Sequence, residues 1–146
     1  MNAMTDVRIM HCAEGDAEFI TRSLSDFNVR QVPGTQEPRF ISLDRKIVDA
    51  DGTIIAGCVA EMYFWKIVYV DILWVDERHR KRGLGTRLLR AVEDAARREG
   101  AALIHLDTFD FQAKDFYLKN GYELFGTLED CPPGHCRYYL KKKLGT

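Results

Sequence analysis

Arg80-Lys81-Arg82-Gly83-Leu84-Gly85-Thr86 sets cations and glycines at the point where a helical pattern begins. A helix start carries unpaired backbone N–H groups and the positive end of the helix dipole, so it favours an anion. Glycine lets that backbone approach a phosphate without side-chain obstruction. A dinucleotide fingerprint would need a third glycine where Leu88 stands, and no Gly-Lys-Ser/Thr follows to make a P-loop. What remains is a phosphate turn of another kind, or a tight turn with solvated arginines. The second chemical signal is Asp71, a carboxylate inside the apolar run Ile67 to Val75. Buried there, it is expected either to take up a proton or to accept hydrogen bonds from a neighbouring strand, with Glu61 and Asp107 as alternative bases. Phe109, Phe111, Tyr63, Trp65 and Trp74, with Asp71, Asp107 and Asp110 beside them, either wall a site for an organic cation or fill the core.

The elements that must position these residues follow from periodicity. Val7 to His11 reads as a strand and Asp16 to Phe27 as an amphipathic helix with Ile20, Leu24 and Phe27 on one face. Gln31 to Pro38 has the prolines and polar residues of a mobile loop over a site. Strands are expected at Ile41 to Asp49, Thr53 to Phe64 and Ile67 to Val75, the last apolar on both faces as a central strand must be. From Gly83 to Gly100 the pattern is helical, with Leu84, Leu88, Val92 and Ala95 on one stripe. Ala101 to Thr108 is a strand, Gln112 to Asn120 a short helix, and Tyr122 to Phe125 and Arg137 to Lys142 are closing strands. The sum is an α/β fold: a mixed, mostly antiparallel central sheet flanked by helices on both faces, with a right-handed parallel crossover from Ile67 to Thr108.

The 146 residues suit one domain, 1–146, and the 46% hydrophobic and 29% charged fractions are those of a globular protein. No apolar run approaches the roughly 20 residues of a membrane helix, and no secretory leader opens the chain, so a cytoplasmic location is expected. A net charge of −1 gives no global attraction to nucleic acid, and no aromatic stacking series interleaves the basic cluster Arg78 to Arg90. Of Cys12, Cys58, Cys131 and Cys136 only the last two are close, and no second ligand pair has zinc-site spacing. Reduced thiols and no metal are expected, with Cys58 in a core strand.

Arg80-Lys81-Arg82-Gly83-Leu84-Gly85 resembles the acetyl-CoA motif Arg/Gln-x-x-Gly-x-Gly/Ala of the GNAT superfamily of N-acetyltransferases. A second family element, alanine and then tyrosine on a short helix before Gly-Phe/Tyr, is similar to Ala113 through Tyr117 to Gly121-Tyr122. The resemblance runs from about Ile41 to Leu140. It implies an acetyl-CoA-dependent transferase without metal that moves an acetyl group to a primary amine of a small molecule or peptide. Its alternative is a binding module on the same fold without turnover, and a homodimer is left open. The implied cofactor contacts are the N–H groups from Arg82 through Gly83, Leu84 and Gly85 to Thr86, charge from Arg80 or Lys81, and strand-like pairing by Leu73, Trp74 and Val75. Asp110 stands where many relatives carry a cofactor-binding asparagine. Transfer needs a neutral amine, a donor for the developing oxyanion and an acid for the thiolate. The resemblance puts Tyr117 in the place of that acid and, by strand face, Asp71 in the place of a base.

Overall fold

The computed structural model describes residues 6–145. The backbone forms two compact units, one up to Gly34 and one from Thr35 onward. The first contains α1 (Asp16–Gln31), which starts behind Gly15 in a left-handed conformation, φ 88°, with Asp16 and Glu18 in its first turn and Arg30 in its last. Those charges complement the helix dipole. The strand expected over Val7 to His11 does not form: these residues have no regular structure, and Val7, Ile9 and Met10 stand exposed. Apolar alternation alone makes no strand without a ladder partner for its backbone groups.

The second unit is a seven-stranded sheet. Its strands are β1 (Phe40–Ser42), β2 (Arg45–Val48), β3 (Ile54–Tyr63), β4 (Ile67–Val75), β5 (Leu103–Phe109), β6 (Glu123–Glu129) and β7 (Cys136–Lys143). The order is β1-β3-β4-β5-β7-β6, with β2 also on β3. Only β4 and β5 run parallel, joined through α2 (Leu84–Arg98), so the sheet is mixed and mostly antiparallel. The single strand expected over Ile41 to Asp49 is two short ones, because Asp44 leaves the ladder to accept from Ala60 N at 3.0 Å. The segment before β1 is no loose cover: the Gln36 amide donates to the Pro38, Arg39 and Met62 carbonyls and accepts from Lys66 N.

One sheet face carries the core. Ala56, Cys58, Ala60 and Met62 of β3, Val68 and Val70 of β4, and Ile104 and Leu106 of β5 are all under 4% exposed. They pack with Leu88, Leu89, Val92 and Ala96 of α2 and with Tyr117 of α3 (Lys114–Lys119). The helical stripe predicted from Leu84 is the one that buries. Each large apolar side chain taken from water there contributes about 1.5–3 kcal/mol.

Candidate active site

The parallel pairing of β4 with β5 stops at Val70 and Leu106. Beyond it β4 stays with β3 as far as Val75 and β5 stays with β7 as far as Phe109, so the two strands part. The gap is a cleft of about 730 Å³, walled by Tyr69 to Val75, by His79 to Lys81, by Gly83 to Thr86, by Asp107 to Phe109 and by Phe111 to Ala113 with Phe116, Tyr117 and Arg137. A β-bulge shapes its β4 side. Val59 pairs with Ile72 and Ala60 with Val70, so Asp71 has no partner on β3. The extra residue reverses the alternation. Val68 and Val70 face the core before it, Leu73 and Val75 after it, while Ile72 and Trp74 turn outward, 51% and 44% exposed.

That bulge corrects the expectation for Asp71. Its side chain lines the cleft but is exposed, so the premise of a carboxylate buried in an apolar strand does not hold. Glu61 lies on β3 opposite Tyr69 and outside the cleft lining. Asp107 does face the cleft, but its oxygens are spoken for: Oδ2 accepts from Tyr69 Oη at 2.9 Å and Oδ1 from Arg137 Nε at 2.9 Å and Nη2 at 2.5 Å. Burial and that bond to Asp107 push the Tyr69 phenol up to about 12.

After β4 a 3₁₀ turn, Glu77–His79, leads into the glycine turn, where Lys81 and Gly83 both take left-handed φ values, 63° and 75°. Gly83 is the N-cap of α2, which has no side-chain cap and no acidic residue in its first turn. The N–H groups that start this helix thus have no side-chain acceptor, and the residues that carry them, Gly83 to Thr86, line the cleft. The two glycines do different work. A Cβ on Gly83 would meet nothing within 4 Å, whereas one on Gly85 would come within 3.3 Å of the Phe116 ring. Gly85 thus admits α3 to the helix start. Arg80 Nε donates to the Val75 carbonyl at 3.1 Å and ties the turn to β4. Arg82 pairs with His79 Nδ1 at 3.0 Å and stands outside the cleft lining, unlike Lys81.

The α3 helix is placed by Gln112 and Thr108. Gln112 Oε1 accepts from Phe109 N at 2.7 Å, and Thr108 Oγ1 accepts from Ala113 N at 3.3 Å. This puts Tyr117, 6% exposed, against the core with its edge in the cleft. Its hydroxyl has no hydrogen-bonding partner among the described residues, and burial raises its pKa, so it holds its proton at neutral pH. Asp110 does not reach the cleft. Its Oδ2 accepts from Cys136 N and its Oδ1 contacts His135 Nδ1, both at 2.9 Å, fastening the loop before β7. Those bonds hold its carboxyl below the usual range. Of the five aromatic residues considered for a wall, Trp74, Phe109 and Phe111 line the cleft and Tyr63 and Trp65 do not. Tyr63 instead bonds His105 Nε2 at 2.8 Å.

Arg137 is a charged cleft residue that sequence reasoning missed. Its position depends on the register that sets Phe109 opposite Arg137 and Asp107 opposite Tyr139. No local signal carries that pairing. Elsewhere, all four cysteines are free thiols, and Cys58 lies in β3, its thiol pushed up to about 12 by burial and then by Asp44. Among the described residues no His, Cys, Asp and Glu side chains gather as a metal site, and no helix is long and apolar enough to cross a membrane.

The profile of the acetyltransferase (GNAT) family matches residues 16–122. A blasticidin-S acetyltransferase from Streptomyces morookaense is 40% identical over 94 residues, 64% of this chain and 68% of that protein. The crystal structure of an acetyltransferase from Bacillus cereus superimposes with a TM-score of 0.87 at 32% identity, covering 96% of this chain and 99% of the other. A Bacillus anthracis protein assigned as a streptothricin acetyltransferase, solved with acetyl coenzyme A, shares the fold with a TM-score of 0.62 at 21% identity, over 74% of this chain and 64% of its own.

Proposed function

The chain belongs to the acetyltransferase (GNAT) family, and from that premise we propose that it moves the acetyl group of acetyl-CoA directly to a primary amine of a small molecule or peptide in the cytoplasm. One observation carries the reading: the cleft between β4 and β5 runs onto an uncapped helix start and contains a protonated tyrosine whose hydroxyl bonds to no described residue. The residues present fit the cosubstrate. At Gly83 no side chain obstructs the backbone, and the first N–H groups of α2, through Gly85 and Thr86, would hold a pyrophosphate with Lys81 adding charge. The free edge of β4 at Leu73, Trp74 and Val75 would pair with the amides of the pantetheine arm as an added strand, and an N–H there would face the thioester oxygen.

Acetyl-CoA supplies an activated acyl group with a thiol leaving group. The chain supplies position and protons. Asp71, at the open lip, takes the amine's proton and exchanges it with water. The amine nitrogen attacks the thioester carbon directly, so no covalent enzyme nucleophile is needed; as the C–S bond breaks Tyr117 gives its phenolic proton to the departing sulfur and regains one from water. Because the relative from Streptomyces morookaense is a blasticidin-S acetyltransferase, that nucleoside antibiotic belongs at the head of the acceptor panel. CoA release should be followed over blasticidin S, polyamines, aminoglycosides, amino acids and peptides, with acetyl-CoA affinity measured by calorimetry. Micromolar acetyl-CoA binding with acceptor-dependent thiol release is expected. No binding and no release with any amine would refute the proposal.

A further inference from the structure

Arg137 is held unusually firmly for a surface arginine. Its Nε and Nη2 share Oδ1 of Asp107, and its guanidinium lies over the Phe109 ring at 5.4 Å and the Tyr139 ring at 5.7 Å. The side chain remains 33% exposed and lines the cleft. Nη1 has no acceptor among the described residues, so one edge of the guanidinium is fixed and the other faces open space. Asp107 is meanwhile satisfied on both oxygens, by Arg137 and by Tyr69. On this side of the cleft an incoming molecule therefore meets N–H donors rather than a free carboxylate. The free carboxylate is Asp71, exposed at the bulge of β4.

We infer that Arg137 reads a carboxylate on the acceptor, so that the preferred acceptors are small amino acids rather than plain amines. This rests on the acetyl-transfer reading and narrows it. A guanidinium edge presents parallel N–H bonds that match a carboxylate, and a fork already oriented by Asp107 and two rings loses little freedom on binding. An ammonium group brought to the same edge is repelled by it. An acceptor with both groups satisfies both lips of the cleft: carboxylate to Arg137, ammonium toward Asp71. Arg137 is thus a specificity residue, outside the bond-making steps.

The test compares each amino acid with its own decarboxylated amine: lysine with cadaverine, phenylalanine with phenethylamine, β-alanine with ethylamine. In the wild-type enzyme the carboxylated member of the preferred pair should lead in kcat/KM by about 10- to 100-fold, the worth of charge-assisted hydrogen bonds. Arg137→Gln should erase that lead, raising KM for the carboxylated member and lowering it for the plain amine, which no longer meets a cation and finds Asp107 without its partner. Arg137→Lys, which keeps a cation beside Asp107 but not the fork, should retain only part of the lead. Calorimetric binding of the same pairs with CoA present separates the two layers. A binding preference without turnover would contradict acetyl transfer and leave this inference standing. Equal binding and equal turnover within every pair would overturn the inference and leave acetyl transfer intact, whether or not the variants fold.

Discussion

Tyr117 and Tyr122 sit in the same core with ring centroids 5.7 Å apart, 6% and 3% exposed, and burial raises the pKa of both. They differ in what the hydroxyl meets. Tyr122 Oη donates to Oε2 of Glu93 at 2.7 Å, and that carboxylate, itself buried, also receives Lys142 Nζ at 3.0 Å. Lys142 in turn donates to the Asn120 carbonyl at 2.9 Å, so α2, β7 and the end of α3 are locked by one polar cluster. The Tyr117 hydroxyl meets the cleft. Burial and a raised pKa therefore do not mark a functional tyrosine, since both residues have them. What separates the two is an unspent proton beside open space.

The largest stability effect should come from the cluster. Glu93→Ala leaves Lys142 without its anion and should cost about 3 kcal/mol, as removal of one partner from a buried ion pair does. Tyr122→Phe should cost about 1.5 kcal/mol, the value of a hydrogen bond to a charged group. Urea midpoints measure both, and turnover of the protein that stays folded should be near wild type. Tyr117→Phe removes a hydroxyl with no protein partner and should shift the midpoint by under about 0.5 kcal/mol. A Tyr117→Phe loss as large as that of Tyr122→Phe would erase the distinction between the two residues.

Alkaline pH acts on both tyrosines together, and on Cys58 with them. The folded-state pKa values of Tyr117, Tyr122 and Cys58 are raised, so the folded protein keeps protons that the unfolded chain releases. That stability is fully present below the unfolded values. It should decline from about pH 9 as Cys58 enters its window, which closes at about 12, and more steeply from about pH 10 as the tyrosines join. Stability that holds constant from pH 8 to pH 11 would contradict the burial assigned to all three.

The sheet, the α2 stripe and the glycine turn were legible because each is written locally, in alternation, in a 3.6-residue period or in a run of glycine and cation. That Tyr117 would line the cleft was suggested only by the resemblance of its helix to a family element. The burial expected of Asp71 was misread because the apolar run gives no sign of the bulge that turns its side chain outward. Gly85 looked like a phosphate glycine, yet the group that needs its missing side chain is Phe116, from an element distant in sequence. Asp110 looked like a cofactor contact and is bonded to a loop near the other end of the chain. Arg137 gave no signal at all. In each case the deciding partner is non-local, and strand register cannot be read from one strand.

If Tyr117 supplies the proton for the departing thiolate, single-turnover kinetics of Tyr117→Phe must show it. With an active acceptor and acetyl-CoA in rapid mixing, the chemical step should slow by about 10²-fold or more, the usual contribution of a positioned acid. Acetyl-CoA affinity and the urea midpoint should stay at wild-type values. A Phe variant that transfers acetyl at the wild-type single-turnover rate would contradict the account and make Tyr117, like Tyr122, a residue of the core.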